Sequence, residues 1–222
     1  MLKYEDYEFD EANVHTFVDI TTDGKRAFAI TGFIQTGSTG GRRDALDAVM
    51  QGCRNAAGKL FYPEADRYMN VIRKEPVVYT VSRMPHEPYE AAWGARFVAE
   101  DPFFYENSLD NLVIVGYTGG PIHVGNSGGY NTPPKIRLGF TGSAVGFSVG
   151  NGTKTISHTH TLVAQDEVVV DMEANKIFIN NVEDLEAGET TNFFNLEKGD
   201  NQITVAPTSG LSVDIEFRKR YV

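Results

Sequence analysis

Residues 99–138 read AEDPFFYENSLDNLVIVGYTGGPIHVGNSGGYNTPPKIRL, and the rest of the chain is organised around this segment. It contains a short apolar run at 112–115 and two glycine-rich runs, and it ends shortly after Pro133-Pro134. Glycine reaches backbone angles that other residues avoid, whereas consecutive prolines are stiff and extended. The residues before this segment contain a clear helical pattern, and those after it have the pattern of β-strands. We therefore predict that residues 116–130 form a junction between two domains.

The composition is that of a globular protein with one large or two small domains. Hydrophobic residues make up 41% of the 222 residues and charged residues 23%, which is the ordinary range. No apolar run is long enough to span a membrane, and the acidic start MLKYED does not have the pattern of a signal peptide. The single Cys53 excludes an intrachain disulfide and favours a small buried residue over a nucleophile.

The net charge of −10 is spread along the chain, with 18 acidic and 12 basic residues in 1–130 and 12 and 8 in the remainder. Tight binding to a phosphate backbone requires clustered Lys and Arg, so this balance argues against nucleic-acid binding. An acidic surface could still line a passage through which DNA slides, because like charges repel and prevent adhesion.

The first domain, residues 1–115, is predicted to be a small sheet with one helix, class α+β. Apolar residues recur at spacings of three and four from Ala45 to Ala57, which predicts a helix over 44–57 with Asp44 as its cap and Gly58 as its stop. Strands are predicted at 14–20, 26–35, 59–62, 67–73, 77–83 and 93–98, with a hairpin turn at 22–25.

Two segments of this domain are candidates for contacts with neighbouring molecules. Residues 1–12 are polar and acidic, and they are either an extended arm that orders only against a neighbour or a frayed terminus. Residues 36–41, TGSTGG, lack the order of a phosphate-binding loop, which favours a flexible loop before the helix.

The second domain, residues 131–222, is predicted to be an antiparallel β-sandwich. Residues 211–218 alternate between apolar and polar side chains, which is the pattern of a half-buried antiparallel strand. Several short strands with regular turns and no helical pattern are typical of a sandwich. The other predicted strands are 135–140, 145–149, 155–163, 167–172, 176–179, 191–196 and 201–206.

The sequence offers no catalytic, cofactor-binding or metal-binding constellation. His158 and His160 lie two residues apart on one strand and could begin a metal site, but the Ser and Thr residues around them supply no strong further ligand. A solvated strand face is the preferred interpretation of this pair. Neighbouring acidic pairs fall at turns or strand ends, which argues against general acid–base chemistry. We therefore expect that the protein is not an enzyme and carries no cofactor.

Four stretches of the second half form a recognisable series. In chain order they are an entry motif, NSGGYNTPPKIR at 126–137; a strand that ends in Asp, DEVVVD at 166–171; a turn of the form F-x-L-x-x-G-x-N, in FFNLEKGDN at 193–201; and a last strand that ends in basic residues and an aromatic, VDIEFRKRY at 213–221. In their order and spacing, these stretches resemble the C-terminal domain of siphophage distal tail proteins. The segment DPFFY at 101–105 resembles the end of the N-terminal domain in the same family.

This resemblance implies a structural virion protein that forms a hexameric ring at the distal end of a long non-contractile tail. Its N-terminal domain would resemble a tail-tube subunit, a β-sandwich or barrel with one flanking helix that builds the ring and its DNA channel. Its C-terminal domain would be a galectin-like sandwich that projects outward as a docking platform.

The implied partners are further copies of the chain, the tail tube protein and the tail-tip or baseplate hub protein, together with the tape measure and receptor-binding proteins. DNA would pass without specific binding, no membrane would be involved, and the protein would be made in the host cytoplasm. Two alternatives stay open: a carbohydrate-binding module for host adsorption, and a tube subunit with an appended domain. Tyr130 and Tyr221 are the aromatic residues of the second domain that the pattern leaves outside its core.

Overall fold

A computed structural model describes residues 3–4, 7–8, 14–22, 25–35, 39–61, 66–81, 90–186 and 192–221. The chain divides into two compact units, residues 1–107 and 108–222. Within the described ranges no helix is both long and apolar enough to cross a membrane.

The first unit is built on one antiparallel sheet in the order β2-β1-β5-β6-β8-β4-β3. β7 pairs with residues 91–94 of β8, whereas β6 pairs with residues 97–99 of the same strand. β9 pairs with β6. The strands are β1 (Lys3–Tyr4), β2 (Tyr7–Glu8), β3 (Val14–Thr22), β4 (Lys25–Gln35), β5 (Ala57–Phe61), β6 (Arg67–Arg73), β7 (Val78–Val81), β8 (Glu90–Ala99) and β9 (Phe104–Glu106).

The helix α1 (Thr39–Gly52) covers one face of this sheet. Leu46, Val49 and Cys53 are buried against Phe28 and Trp93, as the apolar spacing predicts. The predicted bounds of 44–57 are wrong at both ends. The helix begins within the segment assigned to a loop, and it ends because the chain after Cys53 turns into β5, where Ala57 pairs with Ile72. Tertiary packing decides such ends more strongly than intrinsic propensity does.

The N-terminal residues contribute to the sheet of their own unit. Lys3 and Tyr4 of β1 pair with Phe61 and Leu60 of β5. Tyr4 is fully buried, and its hydroxyl donates a hydrogen bond to the carbonyl oxygen of Asn55 at 2.9 Å. The prediction that residues 1–12 order only against a neighbour, or fray, is therefore wrong for the strands β1 and β2; the rest of that segment lies outside the described residues, as do residues 36–38 of the predicted loop.

The second unit is a sandwich of two antiparallel sheets, ordered β10-β19-β12-β15-β16-β17 and β11-β18-β13-β14. β20 (Arg220–Tyr221) ends the described chain. The strands are β10 (Asp110–Tyr117), β11 (Ile122–Asn126), β12 (Lys135–Phe140), β13 (Phe147–Gly150), β14 (Thr155–His158), β15 (Glu167–Asp171), β16 (Lys176–Ile179), β17 (Val182–Glu183), β18 (Gly199–Ala206) and β19 (Leu211–Phe217).

Both sheets contribute alternate side chains to one core. Along β19, every second residue from Leu211 to Phe217 is buried, and the polar residues between them lie on the outer face. β18 and β13 supply Ile203, Val205 and Val149 from the other sheet. The predicted fold class is confirmed: an α+β unit is followed by an antiparallel β-sandwich, and the chain is mainly β.

The glycine-rich segment is part of the sandwich. β10 and β11 lie within 108–130, and they pair with β19 and β18 respectively. The predicted bounds of 1–115 for the first domain and 116–130 for the junction therefore differ from the observed division after Asn107. Of the predicted strand at 191–196, Leu196 forms an isolated bridge with Thr132, and residues 192–195 are irregular.

Candidate functional site

Three of the sequence motifs in the second unit contain a polar side chain that stabilises a turn by hydrogen bonds. Asn126, at the end of β11, is 1% exposed. Its side-chain amide donates to the carbonyl oxygens of Tyr130 at 2.9 Å and Leu196 at 3.4 Å, and its carbonyl oxygen accepts from the N–H of Gly128 at 3.0 Å. A buried amide with all these partners fixes the path of the loop that follows it.

Asn201, near the start of β18, plays the same part for the turn that precedes this strand. Its amide nitrogen donates to the carbonyl oxygens of Val124, Glu197 and Gly199, at 3.3, 2.9 and 3.1 Å. Its oxygen accepts from the N–H of Glu197 at 2.7 Å. The conformation of the F-x-L-x-x-G-x-N turn therefore depends on this one side chain.

Asp171 ends β15 and caps the turn that follows. It accepts hydrogen bonds from the N–H groups of Glu173 and Ala174, and it pairs with the Lys135 ammonium at 2.8 Å. Burial acts to raise the pKa of Asp171, but these hydrogen bonds and the Lys135 charge outweigh it and lower the pKa. The side chains of Asn126, Asn201 and Asp171 thus stabilise three turns of the sandwich.

The first unit has two features suited to contacts with other chains. β3 is the end strand of its sheet, and within the described residues it has a partner strand on one side only. Phe33 of β4 and Val78 and Tyr79 of β7 are 50%, 63% and 49% exposed. A free strand edge offers unpaired N–H and C=O groups to another chain.

Cys53, the single tryptophan Trp93 and the tyrosines Tyr130 and Tyr221 differ in burial. Cys53 is fully buried, and burial raises its pKa to about 11 although the Arg73 charge acts to lower it. Trp93 lies in the core of the first unit. Tyr130 is 44% exposed, and its backbone N–H donates to the carbonyl oxygen of Arg220 at 3.2 Å. Tyr221 is half-buried.

His158 and His160 meet a third ligating residue that sequence reasoning missed. Their rings stack with centroids 6.0 Å apart, and His158 Nε2 lies 3.2 Å from Oδ2 of Asp184. One ligand atom from each of the three residues lies within 4.8 Å of the others. The His158 side chain is 14% exposed, so the prediction of a solvated strand face is wrong for it, whereas His160 is exposed. Asp184 follows β17 in the other sheet, and no local spacing could have indicated it.

A cleft in the same unit combines polar groups with one partly buried aromatic ring. It is flanked by the Lys154 ammonium, which donates to the carbonyl oxygen of Phe193 at 3.0 Å, and by the ion pair of Arg220 with Glu173 at 2.8 Å. Its lining consists of Pro133, Lys154, Met172, Glu173, Asn175, Phe193, Phe194, Asn195 and Arg220.

Comparison with known proteins identifies the second unit and the overall fold. Residues 127–221 match the family described as "Siphovirus-type tail component, C-terminal domain". No curated protein sequence matches the chain. A similar solved structure is the Dit protein (gp 19.1) of phage SPP1, described as a paradigm of the hub adsorption apparatus in phages that infect Gram-positive bacteria. It is 14% identical, with a TM-score of 0.71, and the match covers 100% of this chain and 98% of that one.

Residues 127–221 therefore match the C-terminal domain of siphovirus-type tail components, and the complete chain has the fold of SPP1 Dit.

Proposed function

We propose that this chain forms a hexameric ring at the distal end of a long non-contractile tail, where it joins the tail tube to the tip and leaves a channel for DNA. The observation that carries the proposal is the agreement of the chain, over its whole length, with the fold of SPP1 Dit, together with the tail-component match of residues 127–221. The hub role described for SPP1 Dit is thereby extended to this chain.

The first unit is the proposed ring-forming part. The free outer edge of β3 can add its backbone hydrogen bonds to a strand of the next subunit, which is a heterologous contact that closes into a ring. The exposed Phe33 and Val78 add apolar area on the same sheet. The net charge of −10 suits a channel wall from which DNA is repelled.

The second unit is the proposed docking platform, with the tube, hub, tape measure and receptor-binding proteins as the partners of the assembly. The protein then acts in the virion, at the tail tip, by binding and not by catalysis. The hydrogen-bond networks of the buried Asn126 and the half-buried Asn201 support this role, because they make the loops of the platform rigid.

Electron microscopy of the negatively stained, purified protein tests the ring. We expect class averages with sixfold symmetry and a central opening. Particles of the size of one chain, or closed assemblies with another symmetry, would contradict the proposal.

Glycan binding is the second candidate function, and the cleft beside Phe193 is the observation that favours it. Carbohydrate sites combine an aromatic ring with several polar side chains, as Lys154, Glu173 and Asn175 provide here. Calorimetric titration of the full chain with host cell-wall saccharides tests this function. Saturable binding that is lost in Phe193→Ala would place a sugar in this cleft, and binding lost in Tyr130→Ala alone would place it on the exposed tyrosine. An absence of saturable binding would exclude glycan binding and leave ring formation as the proposed function.

A further inference from the structure

We propose that His158, His160 and Asp184 form a zinc site that joins the two sheets of the second unit. The site is independent of ring formation, because all three residues belong to one unit of one chain. It has three protein ligands and one open coordination position.

The topology brings the three residues together from distant parts of the chain. His158 ends β14, which is the edge strand of the four-stranded sheet, and His160 follows two residues later. Asp184 follows β17, which is the edge strand of the six-stranded sheet. The cluster therefore lies beside β14 and β17, the edge strands of the two sheets. A bound ion would link the two sheets directly.

The distances fit the coordination geometry of zinc. Zn²⁺ binds His nitrogen and carboxylate oxygen at about 2.0–2.2 Å in a tetrahedron, which places neighbouring ligand atoms roughly 3.3 Å apart. His158 Nε2 and Asp184 Oδ2 are 3.2 Å apart. The ligand atom of His160 lies within 4.8 Å of both. Since His160 is exposed, a rotation of its side chain can close the remaining gap.

Two of the ligands are held in place by their surroundings. The His158 ring packs edge-on against Phe147, with centroids 6.2 Å apart. The backbone N–H of Asp184 donates to the carbonyl oxygen of Ile177 at 2.8 Å, which ties Asp184 to β16. Gly146, at a φ of 140°, lets the backbone approach His158 so closely that an added Cβ would lie 2.5 Å from its carbonyl oxygen. Such support lowers the cost of organising a site.

The chemistry of the ligand set favours a transition metal over a hard cation. Imidazole suits zinc, copper, iron and nickel, whereas Ca²⁺ and Mg²⁺ prefer sites built of oxygen atoms. The carboxylate of Asp184 supplies negative charge, and Asp166 is close enough to interact electrostatically with His160. Two neutral imidazoles and one carboxylate make the ligand set of an open zinc site, in which water or a group from a partner takes the fourth position.

Calorimetric titration of Zn²⁺ into the full-length chain, prepared without a histidine tag and stripped with a chelator, tests the site. We expect one ion per chain and a rise in melting temperature on binding, since zinc binds the folded state. His160→Gln is the decisive variant, because its exposed side chain is not needed for folding. It should leave the metal-free melting temperature unchanged and weaken zinc binding by about tenfold or more.

His123→Gln is the matched control. His123 pairs with Asp200 at 2.9 Å, as His158 does with Asp184, but no third ligating residue joins them within the described part of the chain. This variant should bind zinc as tightly as the natural chain. Failure of the natural chain to take up stoichiometric zinc would overturn the proposal, and so would equal affinities in the natural chain and His160→Gln. If His123→Gln were the weaker binder, the site would lie elsewhere.

The spectrum of the Co²⁺-substituted protein provides a second readout. Four-coordinate Co²⁺ has intense visible absorption bands, and we expect these bands in the natural chain and their loss in Asp184→Asn. A spectrum that does not change in Asp184→Asn would contradict the assignment of Asp184 as a ligand.

Discussion

Asp214 is a half-buried acidic residue of the six-stranded sheet. It lies on the outer face of β19, opposite Arg137 of β12, but the Arg137 guanidinium bonds to Glu216 at 3.3 Å instead. Oδ1 of Asp214 is buried and has no hydrogen-bond partner among the described residues. Burial and the neighbouring Glu216 and Glu167 raise the pKa of Asp214, although Arg137 acts to lower it.

Asp214→Asn is therefore expected to stabilise the protein at pH 7, by roughly 0.5–1 kcal/mol. A raised pKa in the folded state means that the ionised carboxylate disfavours folding, so stability falls as the pH rises above the ordinary Asp value. The gain from Asn should be present at neutral pH and should vanish well below pH 3.8, where Asp214 is protonated in both states. Chemical denaturation of both proteins at pH 7 and in acid measures this difference in the free energy of unfolding.

Asp171→Asn is the matched variant, with the opposite expected sign. The pKa of Asp171 is lowered in the fold, so its charge contributes stability above the ordinary Asp pKa. That contribution is lost as the pH falls through the lowered value. We expect Asp171→Asn to destabilise the protein at pH 7 and to approach the natural chain in acid. Equal effects of the two substitutions at pH 7 would refute this electrostatic account.

Cys53 is predicted to be chemically inert in the folded protein. Its pKa of about 11, against an ordinary value of 9.0, reduces the reactive thiolate about hundredfold, and its side chain is fully buried. Labelling with a thiol reagent at pH 8 should be at least about hundredfold slower in the folded chain than in denaturant. Comparable rates in both conditions would show that the thiol is accessible.

For single residues, the sequence predicts which side chains are buried better than it predicts which side chains bond to each other. The alternation along 211–218 places Asp214 on the outer face correctly, because strand period and polarity agree there. It cannot show that Arg137 bonds to Glu216 instead of Asp214, or that Asp184 reaches His158. Those contacts depend on cross-strand register and on the meeting of two sheets, neither of which local spacing encodes.

Among the elements, β3 carries the proposed subunit contact. Val18 and Asp19 of this strand pair with Ala29 and Phe28 of β4. Successive N–H groups of a strand point to opposite sides, so one of these two residues donates toward β4 and the other toward the free edge.

Proline at these two positions separates folding from assembly. At the outward position, proline removes a donor from the free edge but leaves the β3–β4 ladder intact, whereas at the inward position it removes a ladder hydrogen bond. Of Val18→Pro and Asp19→Pro, one should therefore unfold at a clearly lower temperature. The other should keep its melting temperature and lose self-association in size-exclusion chromatography. If neither variant weakens association, β3 is not the contact.

The sequence predicts the bounds of a strand correctly where a run of apolar or β-branched residues lies between turn residues. The strands β6, β12 and β16 have their predicted bounds for this reason. The sequence does not indicate β11, because Gly125 and Pro121 obscure its short apolar run. Pairing with β18 supplies the stability that its own propensity lacks. The helix was correctly predicted to exist, but its ends depend on the sheet beneath it.

For the whole molecule, the sequence predicts two units and the order of their folds. The predicted boundary differs from the observed one because glycine and proline mark irregular backbone, and irregular backbone occurs inside a sandwich as well as between domains. The apolar run at 112–115 pairs with the last long strand, β19, and this pairing between distant parts of the chain assigns it to the second unit. A local pattern contains no information about such pairing.

The mass of the assembly in solution tests the central claim of a six-membered ring most directly. Light scattering during size-exclusion chromatography, at two protein concentrations, should give about 147 kDa, six times the 24.5 kDa of one chain. The value should be the same at both concentrations, because a closed ring has no free contact left to extend it. A mass of one chain at both concentrations, or a mass that grows continuously with concentration, would contradict the account.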